Sequence, residues 1–83
     1  MDPRFVVDAA CARFGVADLV AGKTDQEVYA AIAPFMRHAS PQQLRAQLQQ
    51  RLPAHLSLDA VLNPTMQSQL YHALKQWERR FSC

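Results

Sequence analysis

The stretch NPTMQSQLYHALKQWERRF, residues 63–81, decides the fold of this chain. Met66, Leu70, Leu74, Trp77 and Phe81 recur at steps of three and four, with Ala73 beside them, while Gln67, Lys75, Glu78 and Arg79 fall elsewhere on the wheel. Each residue advances by about 100° around an α-helix, so this spacing draws one apolar stripe along a single face. Asn63 followed by Pro64 is a helix opening. The asparagine oxygen can accept a first-turn N–H, and proline suits the first helical position, where an N–H would have no intrahelical partner. The spacing predicts a helix over 64–81.

The same opening occurs twice more, at Asp2-Pro3 and Ser40-Pro41. After Pro3, Phe5, Ala9 and Ala12 recur at helical spacing with Val6 and Ala10 beside them, and Gly15 suits a helix stop, which predicts a helix over about 3–14. After Pro41, Leu44, Leu48 and Leu52 follow at steps of four until Pro53, and Gln43 stands where a capping box needs it. Between these lies "TDQE", in which Thr24 and Glu27 have capping-box spacing and the acids suit the helix dipole. Val28, Ile32, Phe35, Met36 and Ala39 continue one stripe from there. Pro34 interrupts it and removes a hydrogen bond to the Ala30 carbonyl, which predicts a kink or two short helices. "VADLVAG" adds a turn before Gly22, and Ser57 is placed to cap a turn or two in "LSLDAVL". The expectation is all-α: a small four- to five-helix bundle, a single domain over 1–83, without strand, linker or internal repeat.

Composition narrows the function classes. Among 83 residues, 49% are hydrophobic, many of them alanine, and only two are glycine. That mix favours helices around a thin core. No apolar run reaches the roughly 18–20 residues that span a bilayer, which excludes a membrane partner of that kind. Asp2, Arg4 and Asp8 break the apolar opening, so it does not read as a signal peptide. Cys11 and Cys83 form no disulfide framework, and reduced thiols in a cytoplasm are expected. Charge is uneven. Residues 1–27 carry five acids against Arg4, Arg13 and Lys23, while residues 28–83 carry Asp59 and Glu78 against six cations.

No nucleophile elbow, zinc-protease helix, P-loop or dinucleotide fingerprint occurs. His38, His55 and His72 are far apart at polar or boundary positions, Cys11 reads as a small core residue near Phe14, and Cys83 is terminal. The expected catalytic set, metal-ligand set and cofactor are therefore none. Ser40 reads as a structural cap. Arg45, Arg51, Arg79 and Arg80 are the residues that would meet phosphates. Six positions separate Arg45 from Arg51, which places them about 120° apart on one helix, and Arg79 and Arg80 diverge by about 100°. With a net charge of +2 this builds no deep positive groove, so nucleic acid ranks behind protein as a partner.

From Leu44 onward, "LRAQLQQRLPAHLSLDAVLNPTMQSQLYHAL" resembles the second half of acyl and peptidyl carrier domains. The resemblance implies a modular-synthase setting and, by position, Ser40 as the bearer of a phosphopantetheine arm. The family's Asp-Ser-Leu motif is replaced here by Ala39-Ser40-Pro41. "VVDAACARFGVADLVAGK" and "YHALKQWERR" resemble the opening and the closing helix of the DNA-binding domain of the replication initiator DnaA, without its recognition helix or histidine-threonine signature. "FVVDAACARFGV" with "SPQQLRAQLQQRLPAHL" also resembles a bacterial family of short helical repeats, which implies fold but no chemistry. The reading carried forward is a non-catalytic helical module that binds another protein or a second copy of itself. A carrier-like or docking domain is the alternative, and a DNA-binding module the second alternative.

Overall fold

The computed structural model describes residues 2–36 and 40–81. It is all-α: α1 (Pro3–Arg13), a 3₁₀ turn (Ala17–Leu19), α2 (Asp25–Met36), α3 (Pro41–Gln50), α4 (Leu58–Val61) and α5 (Pro64–Phe81). The radius of gyration is 12.1 Å, close to the roughly 12 Å of a compact chain this long. His38, Ala39 and Cys83, and the side chains of Phe35 and Met36, lie outside what is described.

The caps explain where the helices begin. Asp2 accepts from the Arg4 N–H at 3.0 Å. Thr24 and Glu27 close their box at 3.0 and 3.2 Å, and Asn63 Oδ1 accepts from the Met66 N–H at 2.9 Å. α1 ends in a Schellman motif: the Val16 N–H reaches the Cys11 carbonyl at 2.9 Å and the Gly15 N–H the Ala12 carbonyl at 3.1 Å. Gly15 holds φ at 76° and nothing crowds its Cβ position. Gly15→Ala is therefore expected to cost about 1–2 kcal/mol through backbone conformation alone, and Gly15→Asn less; urea titrations of the two variants check this.

α5 is the central element. Leu70, Ala73, Leu74 and Trp77 are buried along it, and it packs against α1, α2 and α3. Tyr29, in the second turn of α2, meets Phe81 with ring centroids 5.6 Å apart, while Arg45 of α3 meets Gln67 near the start of α5. α2 thus covers the C-terminal end of α5, and α3 the N-terminal end.

Three expectations change. The buried face of α1 keeps Val6 and Ala10 of the expected set and adds Val7, while Phe5 is 66% exposed and Ala12 is exposed with it. Apolar residues cover more than half of α1, so spacing fixed the helix but not its rotation. Arg4 fixes that rotation. It bonds to Asp8 at 2.8 Å, to Asp25 at 3.0 Å, and to the Val20 and Lys23 carbonyls at 2.7 Å each, tying α1 to the turn and to the start of α2. Both carboxylates, Asp8 first, push the Arg4 guanidinium pKa upward.

Secondly, of the two outcomes expected at Pro34, two short helices are not seen: Asp25–Met36 is one helix. Pro34 lies in the last turn, and it and Ala30 are exposed, so the forfeited bond lies on the solvent side. Thirdly, the Ser57 side chain makes no capping bond to α4. Gln49 of α3 does so instead, accepting from the Leu58 N–H and donating to the Leu56 carbonyl, both at 3.0 Å.

Candidate functional site

Where α3 and α5 begin side by side they leave an open groove of about 350 Å³. Its apolar surface comes from Leu44, Leu48 and Tyr71, together with Pro41 and Pro64, the first residues of the two helices. Gln42, Arg45, Gln67, Ser68 and His72 form the polar rim. A hollow of about 180 Å³ between α1 and α5 shares His72 with it, so His72 is the ridge between the two.

A polar clamp sets the width of the groove. Asp59 of α4 accepts from Arg45 at 3.1 Å and from Gln67 at 2.7 Å. Gln67 also donates to the Leu62 carbonyl at 2.7 Å. The short α4 thereby holds α3 and α5 together from below. Gln67, expected to face away from the core, is half-buried in this network. On the flank, Lys75 pairs with Glu78 at 3.2 Å and lies 5.5 Å from the centre of the Tyr71 ring.

The bonds from Gln67 and Arg45 hold the Asp59 carboxyl below its ordinary value of 3.8, and the Thr24 bonds do the same for Glu27 below 4.5. A depressed folded-state pKa contributes stability above the unfolded value that is lost as pH falls through the folded one. Melting temperature is therefore expected to hold from neutrality down to about pH 4.5 and to fall below it. Asp59→Asn and Glu27→Gln should each flatten that fall.

Chemically the groove joins an apolar surface to a rim of amide, hydroxyl, imidazole and guanidinium groups. No polar or charged residue is fully buried among the described residues, and no three of their histidine, cysteine and acidic side chains gather to hold a metal. Cys11 is half-buried beside the core, where desolvation raises its thiol pKa and disfavours the thiolate.

Ser40 stands just outside the groove. Its hydroxyl accepts from the Gln43 N–H at 3.2 Å, while the Gln43 side chain accepts from the Ser40 N–H at 2.8 Å. The arginines are dispersed. Arg45 is engaged with Asp59, and Arg51 sits at the C-cap of α3. Arg79 and Arg80 occupy the last turn of α5, roughly 18 Å along the helix from Gln67, the Arg45 partner. Arg80 lies 5.1 Å from the Phe81 ring centre.

No family model, curated protein or solved structure matches the chain. The groove itself was absent from the sequence reading, because it arises from two helix starts 23 residues apart, Pro41 and Pro64. The one local signal was the repeated cap-proline opening, which shows where helices begin but not that two beginnings meet. Tyr71 was missed for a related reason. It stands next to the stripe on α5, and only the arrival of α3 gives it a role.

Proposed function

We propose that this chain is a non-catalytic protein–protein interaction module that docks a segment of its partner in the groove between α3 and α5. The observation that carries this reading is the groove's make-up: an apolar surface, a polar rim, and a width fixed by the Asp59 clamp. Such a surface can bury side chains of a partner and satisfy their backbone at the edges. A cytoplasmic setting fits the free thiol at Cys11.

The test is a photo-crosslinking amino acid at Ser68, on the rim, compared with one at Gln26, an exposed position on α2. In the cells that make the protein, a discrete protein adduct from position 68 and none from position 26 is expected. Equal labelling from both, or adducts only with nucleic acid, would sink the proposal.

The carrier-like reading keeps one observation in its favour: Ser40 caps the helix that forms one wall of the groove. As a cap, Ser40→Ala is expected to cost about 1 kcal/mol and Ser40→Asp to be tolerated. Intact-mass analysis after incubation with coenzyme A and a promiscuous phosphopantetheinyl transferase separates the two roles. No adduct is expected, whereas an arm that appears on the protein and disappears in Ser40→Ala would establish the carrier.

A further inference from the structure

We infer that the outer face of α1 is a dimer surface. A second copy of this chain packs its own α1 there antiparallel, each Phe5 seated against Ala9 and Ala12 of the other copy. No residue of α1 lines the α3/α5 groove, so the inference stands apart from the docking role proposed above.

The first argument is shape. Phe5, Ala9 and Ala12 lie within about 60° of one another around α1, on the side turned away from buried Val6, Val7 and Ala10. Phe5 is 66% exposed. α1 cannot roll to bury it, because Arg4 ties the helix to Asp25 at 3.0 Å and to the Val20 and Lys23 carbonyls at 2.7 Å each. Leu19, 62% exposed, belongs to the 3₁₀ turn that this arginine holds against α1, and it widens the apolar face on the Asp8 side. One protruding ring near the helix start and two alanines beyond it make a face that complements itself when turned end for end. A parallel pair would set ring against ring and leave a void between the alanines.

The second argument is charge, carried by groups not already paired. Asp2 and Arg13 stand at opposite ends of α1, yet they fall within about 20° of each other around it, on one flank of the apolar face. Both are exposed, and Arg13 makes no ion pair among the described residues. The Asp2 cap bond engages Oδ1, which leaves Oδ2 for a second donor. Antiparallel packing lays this flank of one copy beside the same flank of the other with its ends reversed. Each Arg13 then faces the Asp2 of the other copy, and the two-fold makes the ion pair twice. On the opposite flank Asp8 nears its own copy, and in each copy the Arg4 guanidinium, 2.8 Å from that carboxylate, offsets the like charges. A helix about 16 Å long gives less than the roughly 800 Å² per partner of a standard interface, so a reversible, concentration-dependent dimer is expected.

Sedimentation equilibrium of the intact chain, from micromolar to near-millimolar concentration, is the test. The mass is expected to rise from the 9.4 kDa of one chain towards that of two. The dissociation constant should rise at least about tenfold in Phe5→Gln, which removes the ring, and in Ala12→Gln, which fills its seat. Both residues are exposed and glutamine is a good helix former, so neither loss reports unfolding. Asp2→Asn, which keeps the cap, and Arg13→Gln should each weaken the dimer, and the double variant no more than the stronger single one. Within one chain these residues are roughly 16 Å apart along α1, so such non-additivity arises only between copies. Cross-linking supplies a second readout, in a Cys11→Ala/Cys83→Ala background under mild oxidation. Ala9→Cys, near the two-fold, should cross-link, whereas Ala12→Cys should not, since antiparallel packing sets that position roughly 10 Å from its copy along the helix. Cross-linking through Ala12→Cys, or additive effects of Asp2→Asn and Arg13→Gln, would overturn the antiparallel pairing. A chain that stays monomeric, or a dimer that Phe5→Gln and Ala12→Gln leave as tight as before, would overturn the dimer face itself and leave Phe5 to a different partner.

Discussion

Trp77→Ala is expected to lower stability by about 3–5 kcal/mol, enough to broaden or abolish the cooperative unfolding transition. The whole fold of a chain this size is worth only about 4–12 kcal/mol. Trp77 is 1% exposed and is the largest fully buried side chain. It lies on α5 with its ring centre 6.3 Å from that of Phe81, which in turn meets Tyr29 of α2. Truncation therefore opens a cavity where α5 and α2 join, and the small alanine-rich core around it has little with which to fill the gap. Trp77→Phe should behave differently. The indole Nε1–H is buried without an acceptor among the described residues, and an uncompensated donor costs about 1–3 kcal/mol. Phenylalanine gives up volume but also removes that penalty, so its cost should be well under half that of alanine. Urea titrations followed by far-UV circular dichroism compare the two. An unchanged midpoint in Trp77→Ala would show that the α5 stripe is not the core.

The legible parts of this fold were those governed by chemistry within a few residues. Asp2, Thr24, Ser40 and Asn63 each satisfy an N–H two or three residues on, so their roles could be read from neighbours alone. The stripe from Met66 to Phe81 was legible because its opposite face is polar, leaving one rotation of α5 in keeping with burial. α1 has no such contrast: its phase is set by Arg4, whose partners Val20, Lys23 and Asp25 lie 16 to 21 residues away. The groove depends on the same kind of distant meeting. Asp59 and Arg45 are 14 residues apart, and nothing local marks that pair as the clamp beneath the groove. What was legible of the groove was Leu44 and Leu48 on the α3 stripe, and the prolines that open α3 and α5. Its shape was not.

Leu62→Ala should carry the other large effect, about 2–5 kcal/mol, although it alters the end of a helix only four residues long. A single turn cannot hold itself together in water, since its nucleation cost is never recovered by propagation. α4 therefore exists because its leucines are buried: Leu62 is 0% and Leu58 1% exposed. Leu56, six residues earlier and 38% exposed, is the control, and Leu56→Ala should stay within about 0.5 kcal/mol. The effect should also reach the groove. The Leu62 carbonyl accepts from Gln67, which also bonds to Asp59 on the same turn. Loosening α4 then releases Arg45 and Gln67 together, and with them the spacing of α3 and α5. In an NMR comparison, the Gln67 side-chain amide resonance should move toward its solvent-exposed position in Leu62→Ala and stay fixed in Leu56→Ala. If both variants unfold at the wild-type midpoint, α4 is a surface turn, and the clamp that shapes the groove does not depend on it.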